Sequence, residues 1–156
     1  MQISTKVRYG MRAMLEIALQ DEGKPVVTAL IAKNQNLSKK YLEALLTVLK
    51  TTNFIRSIRG SKGGYVLTRR PKDISLEDIF IALEGPIEIT HCANPYAVCT
   101  GLEGCVTRDL WIDMSKLLSD YLKSKTLQDL VDSHIYKNPA KDEDNEKDND
   151  NENTKE

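Results

Sequence analysis

The chain has 156 residues, 40% of them hydrophobic and 29% charged, with a formal net charge of −1; that is about one domain's length with a modest core. No run of 18 apolar residues occurs, which excludes a membrane-crossing helix, and Met1–Leu15 interleaves Lys6, Arg8 and Arg12 with apolar residues, so no signal peptide is expected and a cytoplasmic location is. The charge is segregated: residues 1–72 carry 14 Lys and Arg against 4 Asp and Glu, residues 73–136 carry 4 against 11, and residues 137–156 carry 4 against 8.

Ser4 is placed to cap a first helix, with Val7, Met11, Met14, Leu15 and Ala18 at helical spacing and Gly23 and Pro25 after its end. A short second helix from Thr28 carries Leu30, Ile31 and Ala32 and breaks at Asn34-Gln35-Asn36. Leu37-Ser38 opens a third, with Leu42, Leu45, Leu46 and Leu49 on one face. Two helices across a short polar turn are a helix-turn-helix. Residues 54–59 and 64–68 then read as strands joined by Gly60-Ser61-Lys62-Gly63, a basic hairpin wing closed off by Pro71. Ser75-Leu76-Glu77-Asp78 is a capping box, stapled by Ile74 and Ile79, for a helix that stops at Gly85-Pro86.

A cysteine-containing loop follows. Thr107 opens a longer helix in which Leu110, Met114, Leu117, Leu118 and Tyr121 form an apolar stripe flanked by Trp111. Thr126 starts a last helix with Leu130 and Val131. Periodicity ends at Lys137, and residues 142–156 contain no hydrophobic residue, so a disordered acidic tail is expected over 137–156. The fold class expected is mainly α with a small β-hairpin wing. A winged helix-turn-helix DNA-binding unit spans 1–72, and the cysteine loop and dimerisation helices span 73–136.

A balance of +10 over residues 1–72 suits a phosphate-binding surface, and double-stranded DNA is the expected partner. The start of the third helix would reach base edges, which selects Ser38, Lys39, Lys40 and Tyr41 as exposed contacts. Glu43, one turn in, either accepts from cytosine N4 or merely pairs with Lys39 or Lys40. The wing contributes Arg56, Arg59 and Lys62, with Arg59 suited to a narrow A·T-rich minor groove. Gly60, Gly63 and Gly64 suit the turn. Arg69, Arg70 and Lys72 either touch phosphate or are solvated charges. One wing unit reads one half-site, so a homodimer through the long apolar-striped helix is expected.

The only three cysteines are Cys92, Cys99 and Cys105, separated by six and five residues on a loop containing Gly and Pro. An odd number in a reducing compartment argues against a disulfide scaffold. Three soft donors on one segment suit an iron–sulfur cluster or zinc. The adjacent His91 either ligates or is an ordinary loop residue. Structural zinc favours close C-x2–4-C pairs, which are absent, as are C-x-x-C, a phosphate-cradling glycine loop and a Ser/His/Asp set. An enzyme is therefore not expected.

Four stretches, in order, resemble one family: Met1–Gly10, Leu37–Glu43, Ile58–Tyr65 and Leu76–Ile79. They are similar to the Rrf-two-type regulators, the IscR, NsrR and CymR group, over roughly residues 1–136. The Cys105-to-Trp111 segment with its following apolar helix resembles the IscR branch. The resemblance implies a dimeric winged-helix transcription factor whose cluster occupancy selects promoters. It implies that Cys92, Cys99 and Cys105 hold an iron–sulfur cluster, [2Fe–2S] in preference to [4Fe–4S], loaded by the iron–sulfur assembly machinery. It further implies control of cluster-assembly genes and DNA-reading roles for Ser38, Lys40, Tyr41, Glu43 and Arg59.

The chain departs from that pattern at the fourth ligand. The IscR branch has histidine three residues after the last cysteine, where this chain has Arg108; the NsrR branch uses an aspartate where this chain has Arg8. Neither arginine can donate to iron. The remaining candidates are His91, Glu103 and Asp109, another side chain brought over by a partner subunit, or an exogenous ligand. The alternative is a cluster-free regulator of the cysteine-metabolism type, acting through a partner enzyme or a thiol redox switch.

Overall fold

The computed structural model describes residues 2–20, 23–94, 96–97, 101 and 104–139. Among these residues the chain forms six α-helices and one two-stranded antiparallel sheet. The helices are α1 (Thr5–Ala18), α2 (Thr28–Gln35), α3 (Lys39–Thr51), α4 (Leu76–Glu84), α5 (Val106–Lys123) and α6 (Leu127–Lys137). The strands β1 (Ile55–Ile58) and β2 (Gly64–Leu67) lie between α3 and α4. Short 3-10 turns occupy Pro71–Asp73 and His91–Ala93.

Side-chain caps set four of the helix starts. Ser4, Ser38 and Ser75 accept from the backbone N–H of Val7, Tyr41 and Asp78, relieving one orphan donor at each start. At Ser75 only this half of the expected capping box forms. Thr126 and Asp129 make the full box, and those hydrogen bonds hold the Asp129 carboxyl below its ordinary pKa.

The core is one cluster centred on α1, α3 and α4. Met14, Ile31, Leu42, Leu46, Leu49, Ile74, Ile79 and Leu127 are fully buried. The buried face of α1 is Val7, Gly10, Ala13, Met14 and Ile17, which corrects the stripe read through Met11, Leu15 and Ala18; those three are only half-buried. Gly10 faces Leu83, and a Cβ there would collide with that side chain, so the missing side chain is what lets α4 approach α1. The expected pairing of Ile74 with Ile79 lies at the centre of the core, both fully buried.

The wing is anchored at its base. β1 pairs with β2 from Ile55–Leu67 to Ile58–Gly64. Val26, leading into α2, adds a bridge to Tyr65 through two 2.9 Å hydrogen bonds. A Cβ at Gly64 would strike the Val26 backbone, so glycine permits this third contact. Gly60 takes φ +116 at the turn.

The last helix folds back onto the first. α6 packs on α1 and on the Pro71–Asp73 turn. Its entry is stitched to the entry of α4: Leu76 N–H donates to Lys125 O and Leu127 N–H to Ile74 O, each at 2.9 Å. The helix α6 extends through Lys137, the first residue of the expected tail, and residues 140–156 lie outside the described residues.

Helix α5 departs from this pattern. Its only buried residue is Ser115, which donates to Trp111 O at 2.8 Å and accepts from Ile89 N–H at 3.1 Å. Leu110, Met114, Leu117 and Tyr121 are exposed, as is Val106, while Leu118 is half-buried. These positions recur along one side of the helix. Of the stripe, Leu118 alone packs inward, and Leu110, Met114, Leu117 and Tyr121 face outward.

Candidate nucleic-acid interface and cysteine site

The basic face is assembled from α3 and the wing. Ser38, Lys39 and Lys40 are exposed at the N-terminal end of α3. Tyr41 is half-buried, a correction to its expected exposure: its ring meets Tyr9 edge-on with centroids 6.2 Å apart, and its hydroxyl lies 3.5 Å from Thr5 Oγ1. It fastens α3 to α1 while staying partly exposed. Glu43 is exposed and lies 3.9 Å from Lys39 Nζ, one turn away. A pair so exposed contributes little to stability.

Arg56, Arg59 and Lys62 are all exposed on the wing, with Arg59 directly before the Gly60 turn. The charges just past the wing are partly engaged. The Arg69 guanidinium lies 5.0 Å from the Phe54 ring centroid. Arg70 Nε donates to Asp73 at 2.7 Å, which raises the arginine pKa and lowers that of Asp73.

Sequence reasoning did not find the brace behind the helix-turn-helix. Arg12 lies over Tyr9, 5.4 Å from the centroid, and donates through Nε to Gln35. Glu16 accepts from Asn34 at 3.0 Å and from Gln35. The turn residues Asn34 and Gln35 are thereby tied to α1. The only signal was that Arg12 and Glu16 stand four apart on one helix.

The cysteine segment meets α5 at its start. Cys92 lies in the His91–Ala93 turn, which packs against α5, and Cys105 occupies the N-cap position of α5. The helix thus starts at Val106, one residue before the expected Thr107. Both thiols are free and half-buried. Cys92 Sγ lies 3.2 Å from Thr90 Oγ1, and Cys105 Sγ 3.3 Å from Thr107 Oγ1. The Thr107 hydroxyl holds the Cys105 thiol below its ordinary pKa and so favours the thiolate, the form that binds metal. Arg108, half-buried, donates from Nε to the Cys92 carbonyl at 2.9 Å.

Cys99 and Glu103 lie outside the described residues, while His91 and Asp109 are exposed. Among the described residues no three His, Cys, Asp or Glu side chains form a metal-binding group. The two described thiols have the soft donor character that an iron–sulfur cluster requires.

A helix-turn-helix with a basic wing, followed by a separate thiol-bearing segment, defines a winged-helix transcriptional regulator that binds DNA. The family described as Rrf2, iron-dependent transcriptional regulator, matches residues 3–133. The HTH-type transcriptional regulator IscR of Pectobacterium atrosepticum is 34% identical over 140 residues, covering 90% of this chain and 85% of its own. The structure of CymR, the global cysteine regulator of B. subtilis, superposes with a TM-score of 0.73 at 40% identity over 85% of this chain and 98% of that one. T. potens IscR gives 0.70 at 36% identity over 86% of this chain and 88% of that one. The chain belongs to the Rrf2 family of transcriptional regulators. Its relatives are named as regulators, in keeping with the expectation that it is not an enzyme, and no helix among the described residues is long and apolar enough to cross a membrane.

Proposed function

We propose that the chain is a homodimeric regulator whose Cys92, Cys99 and Cys105 hold an iron–sulfur cluster, and that cluster occupancy governs operator binding. The observation that carries this reading is the seating of Cys92 and Cys105, the two ends of the loop, against the first turn of α5. When bound, the cluster would supply a redox- and iron-sensitive group at that point. The chain's own residues do the rest: Thr107 favours the Cys105 thiolate, and α5 presents its apolar stripe to a second copy. Lys39, Lys40, Arg56, Arg59 and Lys62 grip phosphate, with Ser38, Tyr41 and Glu43 at the base-reading end. By the IscR likeness, the cluster is of the [2Fe–2S] type, the assembly machinery its source, and cluster-assembly genes the targets.

An iron and acid-labile sulfide assay on anaerobically purified protein, read beside its visible spectrum, tests this. Coloured protein that Cys92→Ala bleaches is expected; colourless, iron-free protein from iron-replete cells overturns it.

The likeness to CymR favours a second reading, a cluster-free regulator responding through a partner enzyme or a thiol switch. For the thiol switch, mass spectrometry after mild peroxide would find an intramolecular Cys–Cys link in protein that never takes up iron.

A further inference from the structure

Arg108 stands in the first turn of α5, three residues past Cys105, and its side chain reaches back across the loop. Its Nε–H meets the carbonyl of Cys92, sixteen residues earlier in the chain, at 2.9 Å. The Cys92 turn has its own hydrogen bonds, Ala93 N–H to Thr90 O at 3.0 Å and Asn94 N–H to His91 O at 3.1 Å, and it packs on α5. Arg108 N–H in turn donates to Cys105 O at 3.0 Å. One residue therefore touches the backbone of both outer cysteines, through its side chain at one and its main chain at the other.

We propose that Arg108 is a positioning residue that clamps Cys92 to the start of α5 and so fixes the placement of the two outer thiols before any ligand arrives. Chemistry favours arginine for this role. The guanidinium is planar, stays protonated and carries its donors in a rigid fork, so the Nε–H can serve the carbonyl while the terminal nitrogens keep four more N–H groups. A lysine would bring a single flexible charge with no such direction. The residue also cannot ligate, so it shapes the site without entering the donor set. Because α5 carries the exposed apolar stripe, the clamp joins the cysteine segment to the surface assigned above to the second copy.

This inference takes its purpose from the proposed cluster site, but its test is made on metal-free, reduced protein. Three variants separate the clamp from its alternatives: Arg108→Ala removes everything, Arg108→Met keeps the apolar stem, and Arg108→Lys keeps stem and charge. The readouts are amide hydrogen exchange at Ala93 and Asn94 and the rate at which iodoacetamide alkylates Cys92, followed by peptide mass spectrometry. Loss of a charge-assisted hydrogen bond should speed both by about tenfold, equally in all three variants, with the melting temperature nearly unchanged. Rescue by Met would reduce Arg108 to packing, and rescue by Lys would reduce it to charge; either overturns the clamp. Unchanged rates in all three overturn it as well. Iron uptake by the wild type, measured separately, decides the cluster reading: a chain that takes up no iron yet shows the tenfold change keeps the clamp and loses the cluster.

Discussion

Helices α3 and α5 are both amphipathic, yet they use their apolar sides in opposite ways. In α3 the leucines at 42, 45, 46 and 49 are buried in the chain's own core and the polar side is left outside. In α5 the leucines at 110 and 117, with Val106, Met114 and Tyr121, face outward, and the one buried residue is a serine. Burying an apolar side chain is worth about 1.5–3 kcal/mol, and five exposed along one side of a helix form the kind of contiguous patch that marks an interaction surface. The contrast separates a helix that completes a fold from a helix whose complement lies outside the chain. A second copy is the complement we assign to it, because a two-fold axis lets the same stripe cover itself.

Breaking the α5 side should give the largest effect. Leu110→Asp with Leu117→Asp places uncompensated charge in the proposed contact, and the dimer dissociation constant should rise about a thousandfold. Sedimentation of both proteins checks this, with helix content unchanged because both positions lie outside the buried core. A wild-type protein that sediments as a monomer at micromolar concentration would remove the assignment altogether.

Changes on the α3 and wing side should leave the dimer intact and act on DNA. Arg59→Ala is expected to weaken operator binding about tenfold and to flatten its dependence on salt by about one unit per half-site. A titration at several salt concentrations gives both numbers. Glu43→Gln should act more weakly on affinity and more on choice: the variant tolerates bases opposite residue 43 that the wild type rejects, by about 1–3 kcal/mol. A panel of operators mutated at single positions measures that.

The smallest effect belongs to the scaffold the two regions share. Thr126→Ala deletes the cap of α6 and should lower the melting temperature by about 2–4 °C. The same cap predicts a pH response. Asp129 has its pKa lowered in the folded chain, so its contribution is present above the ordinary carboxylate range and is lost as pH falls through the folded value. In Asp129→Asn that acid-side loss of stability should shrink, as thermal melts between about pH 6 and pH 3 would show.

Much of this architecture could be read from residues near one another in the chain. Ser4, Ser38, Ser75 and Thr126 announce helix starts because a cap needs only a side-chain oxygen and the next three amides. The wing was legible from strand-forming runs flanking Gly60–Gly64. What escaped was non-local. Tyr41 seemed outward-facing because the period of α3 says nothing of Tyr9, which covers its ring from α1. Gly10 and Ala13 were passed over because pattern reading weighs large side chains, although small ones set how closely α4 approaches. Within the site, the sequence marks Arg108 as a residue that cannot donate to iron. Its reach to the Cys92 carbonyl depends on how the loop folds back, and no spacing encodes that.

The stitch between residues 74–76 and 125–127 has one more consequence. It nails the C-terminal end of α5 to the body of the protein beside Ile74 and Leu127, both fully buried. The opposite end is held by side-chain contacts to the Cys92 turn. Midway along α5, Ser115 is tied to Ile89 N–H at 3.1 Å, so a change at the cysteines acts first on the turns before Ser115. Any disturbance at the cysteines should therefore displace Val106 farthest and Tyr121 least, tilting the apolar stripe from one end.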